Sequence, residues 1–203
     1  MDYSSSMKDE AATPAPPEAD ATTRIARRVA ALRHQHGLSL EALAQRCGVS
    51  RSMISLIERG ESSPTAVVLE RLAAGLGVAL ASLFDDAAAA PSPLSRRDAQ
   101  LQWRDPASGY LRRNLSPTQH ASPLQLVAVE LPPGAAVLYD SPPRTTEIHQ
   151  QVLVLDGVLE ATVGDARYRL AAGDCLALRL DRHNGYRNPG RKTVRYLVAI
   201  ATR

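Results

Sequence analysis

The stretch LSLEALAQRCGVSRSMISLIERG, residues 38–60, decides the fold of the first half of the chain. Ser39 and Ser50 each precede a short apolar run at helical spacing, which is where residues that cap helix N-termini are found. Gly48 lies between the two runs, where the backbone must reverse, and the small side chain of Ala44 suits a close helix crossing. The stretch therefore predicts a helix, a tight turn and a second helix.

The second helix of this pair has two different faces. Val49, Ile54 and Ile57 form an apolar inner face that predicts burial. The outer face begins one residue after the cap and carries Arg51, Ser52, Ser55 and Leu56. A small helical bundle with a solvated arginine-rich surface is the plain alternative to a functional outer face.

The surrounding residues extend this pattern to five short helices between residues 24 and 84. Gly37 is expected to end the first helix, and Ser63 with Pro64 is expected to open the fourth. Residues 23–84 are also basic, with eight arginines against four acids. The segment is thus predicted to be a small, basic helical domain.

On these residues the segment from Arg24 to Phe84 resembles the lambda-repressor-like, or XRE-family, helix-turn-helix domain. The resemblance includes VSRSMISLIERG, the ESSPT turn and the ending LAAGLGVALASLF. It implies that the helix from Ser50 to about Glu58 enters the major groove of double-stranded DNA. The implied base contacts come from Ser50, Arg51, Ser52, Ser55 and Leu56. The implied phosphate contacts come from Arg27, Arg28, Arg46 and Arg59.

Length and composition favour two small domains in a chain of 203 residues. Residues 1–22 are rich in Pro, Ser, Ala and acids and predict a disordered tail, while residues 85–99 predict an exposed linker. The helical domain is therefore expected at 23–84 and a second domain at 100–203. Two distant cysteines predict no disulfide, and the lack of a long apolar run predicts a cytoplasmic protein without a membrane span.

From about residue 100 the chain changes to short β-rich runs separated by turn residues such as Asp-Gly, Gly-Asp and Asn-Pro-Gly. About nine strands in roughly 100 residues predict an all-β sandwich or barrel. The stretch 151–190, with its Asp-Gly turn at 156–157, resembles a cupin, a double-stranded β-helix or jelly-roll barrel. A cupin behind a helix-turn-helix domain is the layout of bacterial regulators that sense a small molecule.

The cupin resemblance also implies where metal ligands would stand. Counting back from Gly157, the position of the ligating glutamate holds Gln150, and the position of the second-motif histidine holds Asn184. Strand alternation then turns Glu147 and His149 away from the interior. No metal and no cofactor are therefore expected, although a non-standard metal or redox site remains an open alternative for Glu147, His149, Cys175 and His183.

The expected barrel pocket holds polar groups among aliphatic walls, which suits a small polar or anionic ligand. Its predicted polar residues are Arg144, Thr146, Gln150, Asn184 and Tyr186. Arg144 could hold a carboxylate in bidentate fashion, or it could lie on a solvated loop. Cys175 is expected to pack as a small buried side chain, with redox sensing as the alternative.

The sequence as a whole predicts a homodimeric transcription regulator that binds a DNA operator and responds to a small-molecule effector. Two rival interpretations stay open. One is a cupin metalloenzyme, such as a dioxygenase or isomerase, with an accessory helical domain. The other is a constitutive DNA-binding protein whose barrel only dimerises. The sequence indicates neither the effector, nor the operator, nor the sign of regulation.

Overall fold

The computed structural model describes residues 21–85, 92–118, 122–140 and 146–202. Within these residues the first half consists of four α-helices and one short 3-10 helix. They are α1 (Ala21–Gln35), α2 (Leu40–Cys47), α3 (Arg51–Glu58), α4 (Ala66–Gly75) and the 3-10 helix Leu80–Phe84. None of these helices is long and apolar enough to cross a membrane.

Capping residues set the helix boundaries, as two of the predicted caps show. The hydroxyl of Ser39 accepts a hydrogen bond from the Ala42 amide (3.1 Å), and that of Ser50 accepts one from the Met53 amide (3.3 Å). Gly48 ends α2 in the left-handed conformation, with φ of 66°. These observations confirm the predicted helix, turn and helix at 38–60.

Two details of the predicted helical domain are wrong. Thr65, rather than Ser63, caps α4, because its hydroxyl accepts from the Val68 amide and the helix begins at Ala66. The fifth predicted helix is a 3-10 helix of five residues, so the domain has four α-helices among the described residues. Ala79 precedes that segment and has no side chain that can cap it, which leaves a short run without a stable α-helical start.

The second half is all-β, as predicted, and its strands are antiparallel. They are β1 (Gln102–Arg104), β2 (Leu111–Asn114), β3 (Leu124–Leu131), β4 (Ala136–Tyr139), β5 (Ile148–Asp156), β6 (Val158–Val163), β7 (Ala166–Ala171), β8 (Cys175–Arg179), β9 (Asn184–Arg187) and β10 (Val194–Thr202). One sheet has the order β1-β2-β3-β10-β5-β8, and the other has the order β4-β9-β6-β7. Buried residues of both sheets belong to one apolar core, and the cupin-type jelly roll that the resemblance implies stays a prediction.

The hairpin between β5 and β6 depends on Gly157. Its φ is +86°, and a Cβ atom there would lie 3.3 Å from the Cα of Val194. The Asp-Gly signal at 156–157 therefore marked the turn correctly. Strand β9 was not predicted, since the run Asn-Gly-Tyr-Arg is short and holds a single apolar side chain.

The two halves share an interface centred on α4 and the 3-10 helix. The ring of Phe84 packs edge-on against Trp103 of β1, with centroids 5.7 Å apart, and Trp103 packs in the same way against Tyr110. The carboxylate of Asp105 accepts from the Ala66 amide at the start of α4 (2.9 Å), and Arg71 of α4 pairs with Asp140. The helical half is thus held against the barrel by both apolar and polar contacts.

Candidate nucleic-acid interface and barrel cavity

Helix α3 packs on the domain core with one face and exposes the opposite face to solvent. Ile54 and Ile57 are fully buried, as the apolar inner face predicted. Arg51 and Ser52 lie in the first turn and are exposed. The helix thus presents its N-terminal turn to solvent on a rigid base, which is the arrangement that reading a groove requires.

A largely buried ion pair joins the C-terminal end of α3 to α1. The guanidinium of Arg33 donates to both carboxylate oxygens of Glu58, at 2.7 and 2.8 Å, and to the Leu38 carbonyl at 2.8 Å. Hydrogen bonding to Glu58 raises the pKa of Arg33 above its usual value. Glu58 therefore stabilises the orientation of α3 from within the domain.

The predicted base-contact residues differ in burial and in the hydrogen bonds that their side chains form within the protein. The hydroxyl of Ser50 caps α3 and lies 3.2 Å from that of Ser52. The hydroxyl of Ser55 accepts from the Arg59 guanidinium, and Leu56 is half-buried. Met53 was missed by the sequence reasoning, although it is an exposed apolar side chain on the same helix.

The four predicted phosphate-contact arginines also differ. Arg27 and Arg46 are exposed. Arg28 is half-buried, and its Nε donates to the Ser82 carbonyl of the 3-10 helix at 3.1 Å. Arg59 is exposed and donates to both oxygens of Glu61, at 2.7 and 2.8 Å. Arg27 and Arg46 therefore offer the most accessible charge of this set.

The barrel encloses a small cavity whose wall includes two residues of the helical half. Glu70 comes from α4, and Leu80 comes from the 3-10 helix. The remaining lining residues are Tyr110, Arg112, Val129, Tyr139, Gln150, Leu180, Asn184, Tyr186, Tyr196, Val198 and Ile200. The cavity volume is about 40 Å³, which accommodates a few water molecules at most.

Three of the five predicted pocket residues line this cavity. Gln150 and Tyr186 contact each other, since the tyrosine hydroxyl donates to Gln150 Oε1 at 3.3 Å, and Asn184 lies beside them. Thr146 does not line the cavity; its hydroxyl donates instead to the Gly77 carbonyl of the helical half (2.9 Å). Arg144 lies outside the described residues.

The cavity also contains an arginine and three tyrosines that the sequence reasoning missed. Tyr110 and Arg112 flank Leu111 on β2, and Tyr139 and Tyr196 come from β4 and β10. Burial raises the pKa of Tyr139, Tyr186 and Tyr196, so their hydroxyls stay protonated. The alternation Tyr-Leu-Arg at residues 110–112, where β2 begins, was the available signal, because residues two apart in an extended chain share one face.

Arg112 is the most unusual residue of the cavity. Its side chain is buried, with 5% relative exposure for the residue, and its guanidinium carbon lies 4.9 Å from the centre of the Phe84 ring. Within the described part of the chain, its Nε and Nη2 have no hydrogen-bonding partner. A buried cation with unused donors is costly and is the kind of group that receives an anionic or polar ligand.

The residues considered for a non-standard metal or redox site lie on the outside of the barrel. His149 and Glu147 are exposed neighbours (3.2 Å), and Glu147 also pairs with Arg179. His183 is exposed, and across the described ranges no group of three or more His, Cys, Asp or Glu residues could hold a metal ion. Cys175 is exposed, so its interpretation as a buried packing residue is wrong. It occupies the outward-facing position opposite Leu153.

The outer face of the six-stranded sheet carries an apolar patch, beside the exposed polar side chains of His149 and Gln151 on β5. The register places Leu197 beside Ala128 and Leu153, and Ala199 beside Leu126. Leu126 and Leu124 on β3 are 37% and 46% exposed. Arg195, Asp156 and Glu130 border this face at one end. A contiguous apolar patch with a charged border is typical of a protein–protein contact.

Comparison with known proteins agrees with the helix-turn-helix geometry. The Helix-turn-helix family HTH_3 matches residues 29–83. The HTH-type transcriptional regulator SutR of Escherichia coli is 31% identical over 165 residues, which cover 81% of this chain and 87% of SutR. The HTH-type transcriptional regulator SinR of Bacillus subtilis is 36% identical over 63 residues, or 30% of this chain and 57% of SinR. The crystal structure of an HTH_3 family transcriptional regulator from Vibrio cholerae superposes with a TM-score of 0.71 and 25% identity, covering 89% of this chain and 96% of that one.

Proposed function

The chain belongs to the family of HTH-type transcriptional regulators, and on that premise we propose that it binds a specific operator as a homodimer and that its barrel controls this binding by holding a small molecule. The observation that carries the DNA-binding part is the geometry of α3. Its capped N-terminal turn exposes Arg51 and Ser52, while Ile54, Ile57 and the Arg33–Glu58 pair fix the helix from below.

Base readout in this proposal comes from the outer face of α3. Arg51 can donate two hydrogen bonds to guanine, which is a common specific contact in the major groove. Ser52 can form hydrogen bonds in either sense, and Ser50, Ser55 and Leu56 complete the proposed reading surface. Met53 joins this surface because it is exposed on the same helix.

Positioning on the DNA backbone comes from arginines outside α3. Arg27 and Arg46 are exposed and supply phosphate contacts that carry no sequence information. Arg28 and Arg59 join them with the guanidinium N–H groups that their internal partners leave available. These contacts make the affinity for DNA fall with rising salt concentration.

In this proposal the homodimer forms through the apolar patch on the outer face of the six-stranded sheet, which supports it. Two copies stacked about a two-fold axis bury the Leu124, Leu126 and Leu197 side chains of both partners. The same symmetry sets two α3 helices against half-sites separated by about one turn of the DNA, roughly 34 Å. A homodimer thus explains both the exposed apolar sheet and the need for a second set of DNA contacts.

Sensing is assigned to the barrel cavity. Gln150, Asn184, Tyr186 and the buried Arg112 give it the polar groups that orient a small polar or anionic molecule among aliphatic walls. Arg144, the other proposed cationic ligand-binding residue, remains part of the proposal. The functional units are the helix-turn-helix domain at 23–84, the linker at 85–99 and the barrel at 100–203, preceded by the tail at 1–22.

Selection of bound sequences from a random pool of double-stranded DNA tests this function. The purified protein is expected to enrich a sequence with two-fold symmetry and half-sites about 10 base pairs apart, centre to centre. Absence of any enriched sequence would overturn the proposal. Constitutive DNA binding is distinguished from sensing by thermal unfolding, because a ligand of the native state must raise the unfolding temperature.

A further inference from the structure

The helical half of the chain forms part of the wall of the barrel cavity. Glu70, on α4, is 4% exposed and lines the cavity together with Leu80. A volume of about 40 Å³ lies far below the roughly 300 Å³ of the smallest pockets that hold drug-sized ligands. A ligand larger than a few waters therefore requires the cavity to widen, and Glu70 and Leu80 are the lining residues that the helical half contributes.

The charges that line the cavity indicate the class of ligand. Among the described lining residues, Glu70 carries a negative group and Arg112 a positive one. Four tyrosines surround them, and three of these have hydroxyls kept protonated by burial. The cavity already holds the carboxylate of Glu70. A ligand carboxylate is therefore accommodated only if the Glu70 carboxylate leaves the cavity.

We propose that the barrel binds a small carboxylate at Arg112, and that this ligand displaces Glu70 and so releases α4 from the barrel. The guanidinium of Arg112 has two N–H positions, Nε and Nη2, without partners in the described chain, which is the pair of donors that a bidentate carboxylate requires. The carboxylates of the ligand and of Glu70 repel each other in a low-dielectric cavity. This repulsion couples ligand binding to the release of α4.

Release of α4 reaches the recognition helix through tight packing inside the helical half. Gly75 of α4 lies so close to α2 that a Cβ atom there would be 2.7 Å from the Cβ of Cys47. Helix α2 in turn packs on α3. The four helices therefore move as one body when α4 leaves the barrel, which changes the spacing of the two recognition helices in a dimer.

The inference rests on the proposed function, since it names the ligand class and the coupling for the same barrel site. The fluorescence of Trp103 reports on this movement, because Trp103 is the single tryptophan of the chain and packs against Phe84 at the interface between the halves. Separation of the halves exposes Trp103 to water and shifts its emission to longer wavelength.

The experiment titrates the full-length protein with sodium acetate and sodium pyruvate, with acetamide as the neutral control, while Trp103 emission and the unfolding temperature are recorded. Wild type is expected to respond to the carboxylates and not to acetamide. Glu70→Gln removes the competing charge and is expected to respond at about tenfold lower concentration. Arg112→Met is expected to lose the response. Glu41→Gln and Arg113→Met, both outside the cavity lining, serve as controls and are expected to match wild type.

Several outcomes would overturn the inference. They are no response of wild type and Glu70→Gln to either carboxylate, an equal response to acetamide, or an Arg112→Met response equal to that of wild type. If Arg112→Met does not fold, Glu70→Gln decides alone, since an unchanged midpoint concentration contradicts the displacement of Glu70. The wild-type preparation is also tested for binding to DNA selected from the random pool. If it prefers that DNA but does not respond to carboxylates, only this inference is refuted. If it shows no preference for that DNA, the proposed function is refuted.

Discussion

Asp105, in the loop after β1, accepts a hydrogen bond at 2.9 Å from the backbone amide of Ala66, the first residue of α4. A helix leaves the amides of its first turn without partners of its own, and here one of them is satisfied by the other half of the chain. The helical half is thereby docked on the barrel by a specific buried contact at the start of α4.

Replacing Asp105 tests how much this contact stabilises the protein. Asp105→Ala leaves the amides of Ala66 and Ser108 without their acceptor, and we expect a loss of about 2 to 3 kcal/mol in the free energy of unfolding. Urea unfolding followed by Trp103 fluorescence measures it. The exposed Asp98 is the matched control, and Asp98→Ala should change the free energy by less than about 0.5 kcal/mol. Equal midpoints for the two variants would refute the assigned role of Asp105.

The Arg33–Glu58 pair is expected to be important for the stability of the recognition helix. Arg33→Met leaves the Glu58 carboxylate largely buried without its partner, which should cost about 3 kcal/mol of unfolding free energy. In the double variant Arg33→Met, Glu58→Met the loss should be smaller than the sum of the single losses. Glu61→Gln, which breaks an exposed pair with Arg59, should leave the urea midpoint close to that of wild type, because exposed ion pairs are screened by solvent. Additive losses at Arg33 and Glu58 would show that the two residues do not depend on each other.

The dimer is tested on the outer faces of the two sheets. Leu126→Glu places a charge in the apolar face of the six-stranded sheet, and analytical ultracentrifugation should show a shift from dimer to monomer. Leu138→Glu is the matched control, because Leu138 is even more exposed, at 57%, but belongs to the four-stranded sheet. A dimer that survives Leu126→Glu, or one lost in Leu138→Glu, would place the interface elsewhere.

Two arginines should separate base reading from backbone positioning. Arg51→Ala is expected to lose about 1 to 3 kcal/mol of discrimination at one base pair of the selected DNA. Arg46→Ala is expected to weaken binding to selected and scrambled DNA alike and to reduce the salt dependence by about one phosphate contact. Fluorescence anisotropy at several salt concentrations measures both effects. An unchanged base preference in Arg51→Ala would remove it from the reading surface.

The helix-turn-helix stretch was predictable because its information is local. Ser39, Gly48 and Ser50 each act on the backbone within a few residues, and the apolar spacing of α3 is a property of one helix. In β5 the strand alternation likewise placed Gln150 inside and His149 outside. Both predictions needed no knowledge of distant residues.

The contents of the cavity could not be predicted in the same way. Glu70 is a charged residue on an amphipathic helix, and nothing in its own neighbourhood indicates that a barrel beginning some 30 residues later covers it. In the sequence Arg112 cannot be told apart from the adjacent Arg113, and only the pairing of β2 with β3 shows that Arg112 is the buried one. Strand β9 was missed for a related reason, because its four residues obtain their β conformation from pairing with β4 and β6.

Whether this chain reads DNA sequence is measured by the ratio of its affinities for selected and scrambled DNA. The measurement is a fluorescence anisotropy titration of the full-length protein at physiological salt. We expect an affinity for the selected DNA at least about 10³-fold higher than for scrambled DNA of the same length. Equal affinities for the two would contradict it.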